Sequence, residues 1–153
     1  MILNQCYAIL PSKSVKPNQI VGVKRLNLEL ALFRTDKGLI NCVIDQCTHR
    51  GAALSKGTVK EDFIQCPFHG LQFNGKGECT FIPAKGKANV ADISRYNVKN
   101  YPVQESNGII YLWYGDHNKV TEELPFFYKD VDDSYVYSEI EDHWNSHYSR
   151  CIE

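Results

Sequence analysis

CTHRGAALSKGTVKEDFIQCPFHG, residues 47–70, begins and ends on the same kind of pair. Cys47-Thr48-His49-Arg50-Gly51 offers a thiol and an imidazole, and Cys66-Pro67-Phe68-His69-Gly70 offers another of each. Sixteen residues separate His49 from Cys66. Thiolates and neutral imidazoles are donors that hold zinc or the iron of iron–sulfur clusters. Structural zinc modules put C-x2–4-C and H-x3–5-H in separate pairs. Here each pair is mixed, and the first has a single spacer residue, which disfavours zinc. The spacing lets each loop reach both irons of a [2Fe–2S] cluster, with Cys47 and Cys66 on one iron and His49 and His69 on the other. Gly51 and Gly70 relieve crowding where the backbone passes the metal, and Pro67 stiffens the second loop. A structural zinc, or a chance set of buried thiols and surface histidines, are the alternatives.

Outward from this stretch the pattern is β. Residues 20–34 (IVGVKRLNLELALFR) read as two strands broken near Leu26–Asn27. Asp36-Lys37-Gly38 is a turn, and Leu39–Asp45 a further strand. Residues 46–57 break the alternation and have the small-residue content of a loop. Phe63–Cys66 is a short strand ending at Pro67. Leu71–Phe73 and Glu78–Ile82 flank Asn74-Gly75-Lys76-Gly77, a strong hairpin signal. Residues 83–95 are irregular. Val98–Glu105 and Ile109–Tyr114 flank Ser106-Asn107-Gly108 as another hairpin. After Gly115 the composition turns acidic, with Pro125 beside Phe126-Phe127. Tyr135–Ile140 reads as one more strand, and Asp142–Ser149 as the start of a helix. The expected domain is residues 1–116, mainly β, with 117–153 a separate C-terminal segment.

The 153 residues are enough for one domain with its own core. A net charge of −1, with acids and bases interspersed, lacks the basic footprint of a nucleic-acid binder. No apolar run approaches the length of about 18 residues that spans a membrane. MILNQCYAILPSKSVK lacks the basic start and long apolar centre of a signal peptide, so the expected location is cytoplasmic. Under that expectation six cysteines point to metal or redox use rather than to disulfides.

Together CTHRGAALSKG, CPFHGLQFNGKGECTFIPA and YPVQESNGIIYLWYGD give the chain, over roughly residues 4–116, a resemblance to the N-terminal Rieske domain of Rieske non-haem iron oxygenases, the alpha subunits of aromatic ring-hydroxylating dioxygenases. The resemblance implies stacked antiparallel sheets, with a [2Fe–2S] cluster at the tip of a small subdomain and the ligand histidines towards solvent or the next redox centre. It implies a ferredoxin or reductase as electron donor, a mononuclear Fe(II) site in a catalytic domain, and often a homotrimer. His143-Trp144-Asn145-Ser146-His147 resembles the entry to that catalytic domain, but the family's H-x4-H spacing is absent, and the chain reads as a fragment ending where the iron site would start. His143 and His147, four apart, lack a clear third ligand and read as surface or interface residues.

Respiratory and photosynthetic Rieske proteins, similar in their cluster motifs, carry a further cysteine in each loop, and the two form a disulfide. Ala52 and Phe68 occupy those places here. Those proteins also put hydroxyl groups after the second histidine, where this chain has Leu71 and Phe73. Hydrogen bonds to cluster sulfur favour the more negative, reduced state. Their loss predicts a potential near the low end of the Rieske range, about −150 mV. Cys6, Cys42, Cys79 and Cys151 read as structural thiols, Trp113 as core, and Arg50 as a loop-structural residue or partner contact. Tyr135, Tyr137 and Tyr148 are sheet or interface aromatics. The functions in competition are an oxygenase electron-transfer domain, a stand-alone Rieske-type ferredoxin and a zinc-stabilised interaction module. An N-x-x-D-x-x-H-x4-H stretch downstream separates the first from the second, and acid-labile sulfide separates both from the third.

Overall fold

Strand β3 (Leu28–Arg34) is buried on both faces, and that fact organises the architecture. Alternate residues of a strand point to opposite sides. Leu30 and Leu32 enter one core, with Ile9, Val15, Cys42, Tyr101, Ile110 and Leu112. Ala31 and Phe33 enter another, with Val43, Cys47, Leu54, Ile64, Cys66 and Phe73. All four β3 side chains are fully buried, and burying the larger ones contributes about 1.5–3 kcal/mol each. A run as apolar as LALF therefore marks the middle layer of a stack.

The computed structural model describes residues 1–86 and 92–121, with 134, 136, 138, 140, 142, 144–146 and 150 beyond them. The middle sheet has the order β2-β3-β4, with β2 at Ile20–Arg25 and β4 at Ile40–Ile44. One outer sheet has the order β1-β10-β9, with β1 at Gln5–Pro11, β9 at Val103–Ser106 and β10 at Ile109–Tyr114. The other is the meander β5-β6-β7-β8: Thr58–Lys60, Phe63–Gln65, Gln72–Phe73 and Cys79–Phe81. Every pairing is antiparallel. The mainly β, stacked-sheet expectation holds, and the four-stranded meander is the small subdomain. Among the described residues no helix is long and apolar enough to cross a membrane.

The turns follow local chemistry. Leu26 and Asn27 sit at φ +54° and +60°, and Asn107 and Gly108 at +46° and +74°. Two-residue hairpins need positive φ at both central positions, because that twist matches the flanking strands. The second hairpin loop is therefore Asn107-Gly108 alone, and Ser106 pairs with Ile109 inside the ladder. In the β7–β8 connection the Asn74 side-chain carbonyl accepts from Lys76 N–H and Glu78 N–H, both at 3.0 Å.

Three elements differ from the sequence reading. The N-terminal strand β1 went unread because its partner is β10, at the far end of the domain (Gln5 opposite Tyr114), and its register shifts between Ala8 and Leu10. Strand β5 lies just after the stretch read as loop. The strand expected from Val98 begins only at Val103: the preceding residues touch the middle sheet through one bridge, Val43 to Asn100, and Pro102 has no N–H for a ladder. The readings of Tyr135–Ile140 and Asp142–Ser149 rest on residues outside the described set.

One ion pair clamps the stack at its edge. Arg34, on β3, donates to Glu105 on β9 through both terminal nitrogens. Its Nε donates to the Val15 carbonyl at 2.7 Å, and Nη1 to the Gly38 carbonyl at 2.8 Å. The guanidinium fork suits such multiple recognition.

Candidate metal centre

Both cysteine–histidine loops are built on one backbone frame. In the first, Cys47 N–H donates to the Ala52 carbonyl and Gly51 N–H donates back to the Cys47 carbonyl, each at 2.8 Å. In the second, Cys66 N–H donates to the Leu71 carbonyl at 2.8 Å and Gly70 N–H to the Cys66 carbonyl at 3.1 Å. Each turn closes on a glycine at left-handed φ, +71° for Gly51 and +73° for Gly70. An L side chain there costs roughly 1–2 kcal/mol. Gly70 is also crowded, since a Cβ would lie 3.0 Å from Pro83 Cγ. The frames differ in where the imidazole hangs: His49 is two residues after its cysteine, and His69 three.

The four side chains separate by depth. Cys47 and Cys66 are each 2% exposed and belong to the core with Leu54, Ile64, Leu71 and Phe73. Both pack in the same core, and the Cys66 thiol and the backbone N–H groups of His49 and Arg50 lie close enough to Cys47 Sγ to act on its titration. Burial, the largest influence, raises the Cys47 pKa; the two N–H groups pull it down by favouring thiolate, and the Cys66 thiol raises it. His49 and His69 are exposed, and their rings meet at 4.6 Å between centroids with 60° between planes. Phe68 packs on His69 at 3.9 Å and is itself 63% exposed. Among the described residues, no three His, Cys, Asp or Glu side chains close on a point fit for a single metal ion. The donors stand as a buried thiol pair and an outward imidazole pair.

Side chains that the sequence reading passed over hold this frame. The Asp45 carboxylate accepts from Ser55 N–H and Ser55 Oγ, each at 2.6 Å, and so fixes the turn Leu54–Lys56 behind the first loop. Gly22 lets that turn approach β2, because a Cβ would come 2.7 Å from Ser55 Cβ. Thr48 Oγ1 donates to the Tyr96 carbonyl at 2.6 Å, and Asn97 Oδ1 accepts from Cys79 N–H at 2.9 Å. No local pattern announces Asp45, Tyr96 or Asn97, since their partners are set by the tertiary fold.

Leu71 and Phe73 are buried, at 2% and 0% exposure. Cys42 and Cys79 are buried and Cys6 is half-buried, all as free thiols, and burial pushes the Cys42 pKa far up. Trp113 is core, with its indole N–H donating to the Asp116 carbonyl at 2.9 Å. Arg50 is exposed. His143, His147, Cys151, Tyr135, Tyr137 and Tyr148 lie outside the described residues.

Comparison with known families matches residues 5–102 to the Rieske [2Fe-2S] domain. This chain belongs to that family. The [2Fe–2S] cluster is accordingly the cofactor of this Rieske domain. Several of its relatives are oxygenases or oxygenase components. The chain is 39% identical over 110 residues to the dicamba O-demethylase oxygenase component of Stenotrophomonas maltophilia, covering 71% of this chain and 31% of that one. It is 34% identical over 133 residues to the chloroplastic chlorophyllide a oxygenase of Chlamydomonas reinhardtii, covering 87% of this chain and 19% of that one. The crystal structure of dicamba monooxygenase with non-heme iron and dicamba superimposes with a TM-score of 0.73 at 33% identity, over 81% of this chain and 37% of that one. This Rieske chain thus spans under a third of the length of either curated relative.

Proposed function

We propose that Cys47 and Cys66 hold one iron of the cluster and His49 and His69 the other. The observation that carries this is the division of the donors: two adjacent buried thiols, two adjacent exposed imidazoles, and one of each on every loop. One tetrahedral zinc needs four donors at one point, whereas two irons with different ligands need two pairs. The protein supplies a dry pocket for the sulfur end and leaves the imidazole end open to a partner. The cluster, when bound, supplies one-electron transfer.

On this reading the chain is the electron-transfer domain of a Rieske non-haem iron oxygenase. It takes electrons from a ferredoxin or reductase and delivers them to a mononuclear iron for O2-dependent oxidation of an organic substrate. The family match and the oxygenase relatives support it. Residues 1–116 form the Rieske domain in this scheme and 117–153 lead into the catalytic domain; a homotrimer in the cytoplasm is part of the same proposal.

Iron and acid-labile sulfide analysis tests the ligand set, together with visible and electron paramagnetic resonance (EPR) spectra of purified protein. Two irons and two sulfides per chain with a rhombic reduced spectrum are expected, and Cys47→Ser abolishes them. A colourless protein holding one zinc ends the assignment. Reduction of the cluster by a ferredoxin and its reductase, measured by stopped flow, tests the electron-transfer role.

A further inference from the structure

The first loop does not stand alone. Residues 92–98 run along it and are fixed to the domain at several points. Asp92 Oδ1 accepts from Ser94 N–H at 2.8 Å and opens the short 3-10 turn Ser94–Tyr96. Val98 N–H donates to the Gly77 carbonyl at 2.8 Å, and Asn97 receives Cys79 N–H. A Cβ on Gly77 would come 2.2 Å from the Val98 carbonyl oxygen, so the segment is held in close apposition to the β7–β8 connection.

From this segment Tyr96 reaches the imidazole of His49. The two rings lie 6.5 Å apart between centroids at 79°, an edge-to-face arrangement within the range where aromatic pairs attract. The Tyr96 backbone carbonyl takes the hydroxyl of Thr48, the residue next to His49. The ring is also held by Arg95, whose guanidinium carbon lies 4.8 Å from the ring centroid and whose Nη2 donates to the phenol oxygen at 2.9 Å. The ring is also packed against the core that contains both cysteines. His69 is packed instead by its sequence neighbour, the exposed Phe68, and among the described contacts no aromatic ring from a distant segment other than that of His49 reaches it.

We propose that Tyr96, latched by Thr48 and braced by Arg95, is a positioning residue that fixes the plane of the His49 imidazole at the metal centre. The inference rests on the ligand assignment proposed above. Groups behind a metal ligand set its orientation and so tune the metal's electronic structure. A ring held edge-on by an aromatic wall and a threonine latch samples fewer orientations than one facing water.

The test uses purified, cluster-loaded protein and three variants. Tyr96→Ala is expected to change the g-anisotropy of the reduced cluster, to alter the histidine-nitrogen couplings seen by pulsed EPR, and to hasten cluster loss to a chelator severalfold. Tyr96→Phe keeps the ring and its contact with the Arg95 guanidinium while losing the phenol hydrogen bond, and is expected to stay much closer to wild-type g-values than Tyr96→Ala. Thr48 is exposed, so Thr48→Val removes the latch with little threat to folding, and is expected to move the same couplings in the same direction by less. Wild-type nitrogen couplings and chelation rate in both Tyr96→Ala and Thr48→Val overturn the inference and leave the ligand assignment standing. Should Tyr96→Ala not accumulate, unchanged couplings in Thr48→Val overturn it alone. Absence of any [2Fe–2S] signal in the wild-type protein is the separate failure of the ligand assignment.

Discussion

The Cys47–Ala52 and Cys66–Leu71 loops share a hydrogen-bond frame, a left-handed closing glycine and a buried thiol, yet they present their histidines from different positions. His49 hangs from the middle of its turn and leans on Tyr96; His69 stands beside the closing glycine under Phe68. The common frame places sulfur, and the offset places nitrogen. Two identical loops would bring like groups to like positions, whereas the offset brings the two imidazoles together at 4.6 Å from loops far apart in sequence. The loops differ as well in what supports them. Asp45 and the segment around Tyr96 hold the first from outside, while the second lies within the meander between β6 and β7 and closes against Pro83.

The most damaging way to break the comparison is to remove the offset. The double variant His49→Arg, Arg50→His moves the first imidazole to the position it has in the second loop. We expect loss of the cluster, seen as absent iron, sulfide and colour; a normally loaded protein shows that the offset is immaterial. Leu71→Ser comes next. Leu71 closes the second frame and is buried beside Cys66, so the substitution costs about 2–4 kcal/mol in lost packing. High-potential Rieske proteins place a hydroxyl after the second histidine, and a serine at this place would offer such a donor to cluster sulfur, so we expect the midpoint potential to rise from about −150 mV. A redox titration of wild type with a strongly positive midpoint rejects the premise, and an unmoved Leu71→Ser midpoint rejects the donor argument.

Glycine substitutions sharpen the comparison on a finer scale. Both Gly51→Ala and Gly70→Ala incur the left-handed cost of roughly 1–2 kcal/mol. Only Gly70 adds a clash with Pro83, since the nearest atom to a Gly51 Cβ is Gln46 Nε2 at 3.5 Å. Chemical denaturation should therefore rank Gly70→Ala below Gly51→Ala, and equal midpoints would mean that Pro83 yields freely.

The smallest effect is reserved for a site remote from both loops. Arg34 holds the Glu105 carboxyl below the usual carboxylate range, chiefly through the side-chain hydrogen bonds. Its pKa is lower folded than unfolded, so the pair's contribution is complete above the unfolded value of about 4.3 and is lost as pH falls through the folded value. Glu105→Gln should cost about 0.5–1 kcal/mol at neutral pH and nothing at low pH, with the cluster spectrum unchanged. A spectrum that moves with Glu105→Gln would mean that the sheets and the loops are coupled.

The site was more legible in the sequence than the sheets that carry it. Metal chemistry restricts residue types so severely that two short motifs single out Cys47, His49, Cys66 and His69 as candidate ligands, and the adjacent glycines at 51 and 70 take left-handed φ in the structure. Hairpins with short connections were legible for a similar reason: Asn74-Gly75-Lys76-Gly77 and Asn107-Gly108 carry their own conformational demands. Strand β1 was not, because pairing across the whole domain leaves no mark on Gln5–Pro11 itself.

By itself, then, the sequence determined the candidate donors, the turns and the apolar run of β3, all of which rest on chemistry confined to a few neighbouring residues. Tertiary structure alone decided that β3 is the shared middle layer and that β1 closes on β10. It also decided that Arg34 meets Glu105, and that Tyr96 stands against His49 from 47 positions away. Those contacts depend on how distant segments pack, and each partner's residue type is common enough to serve equally well on an open surface.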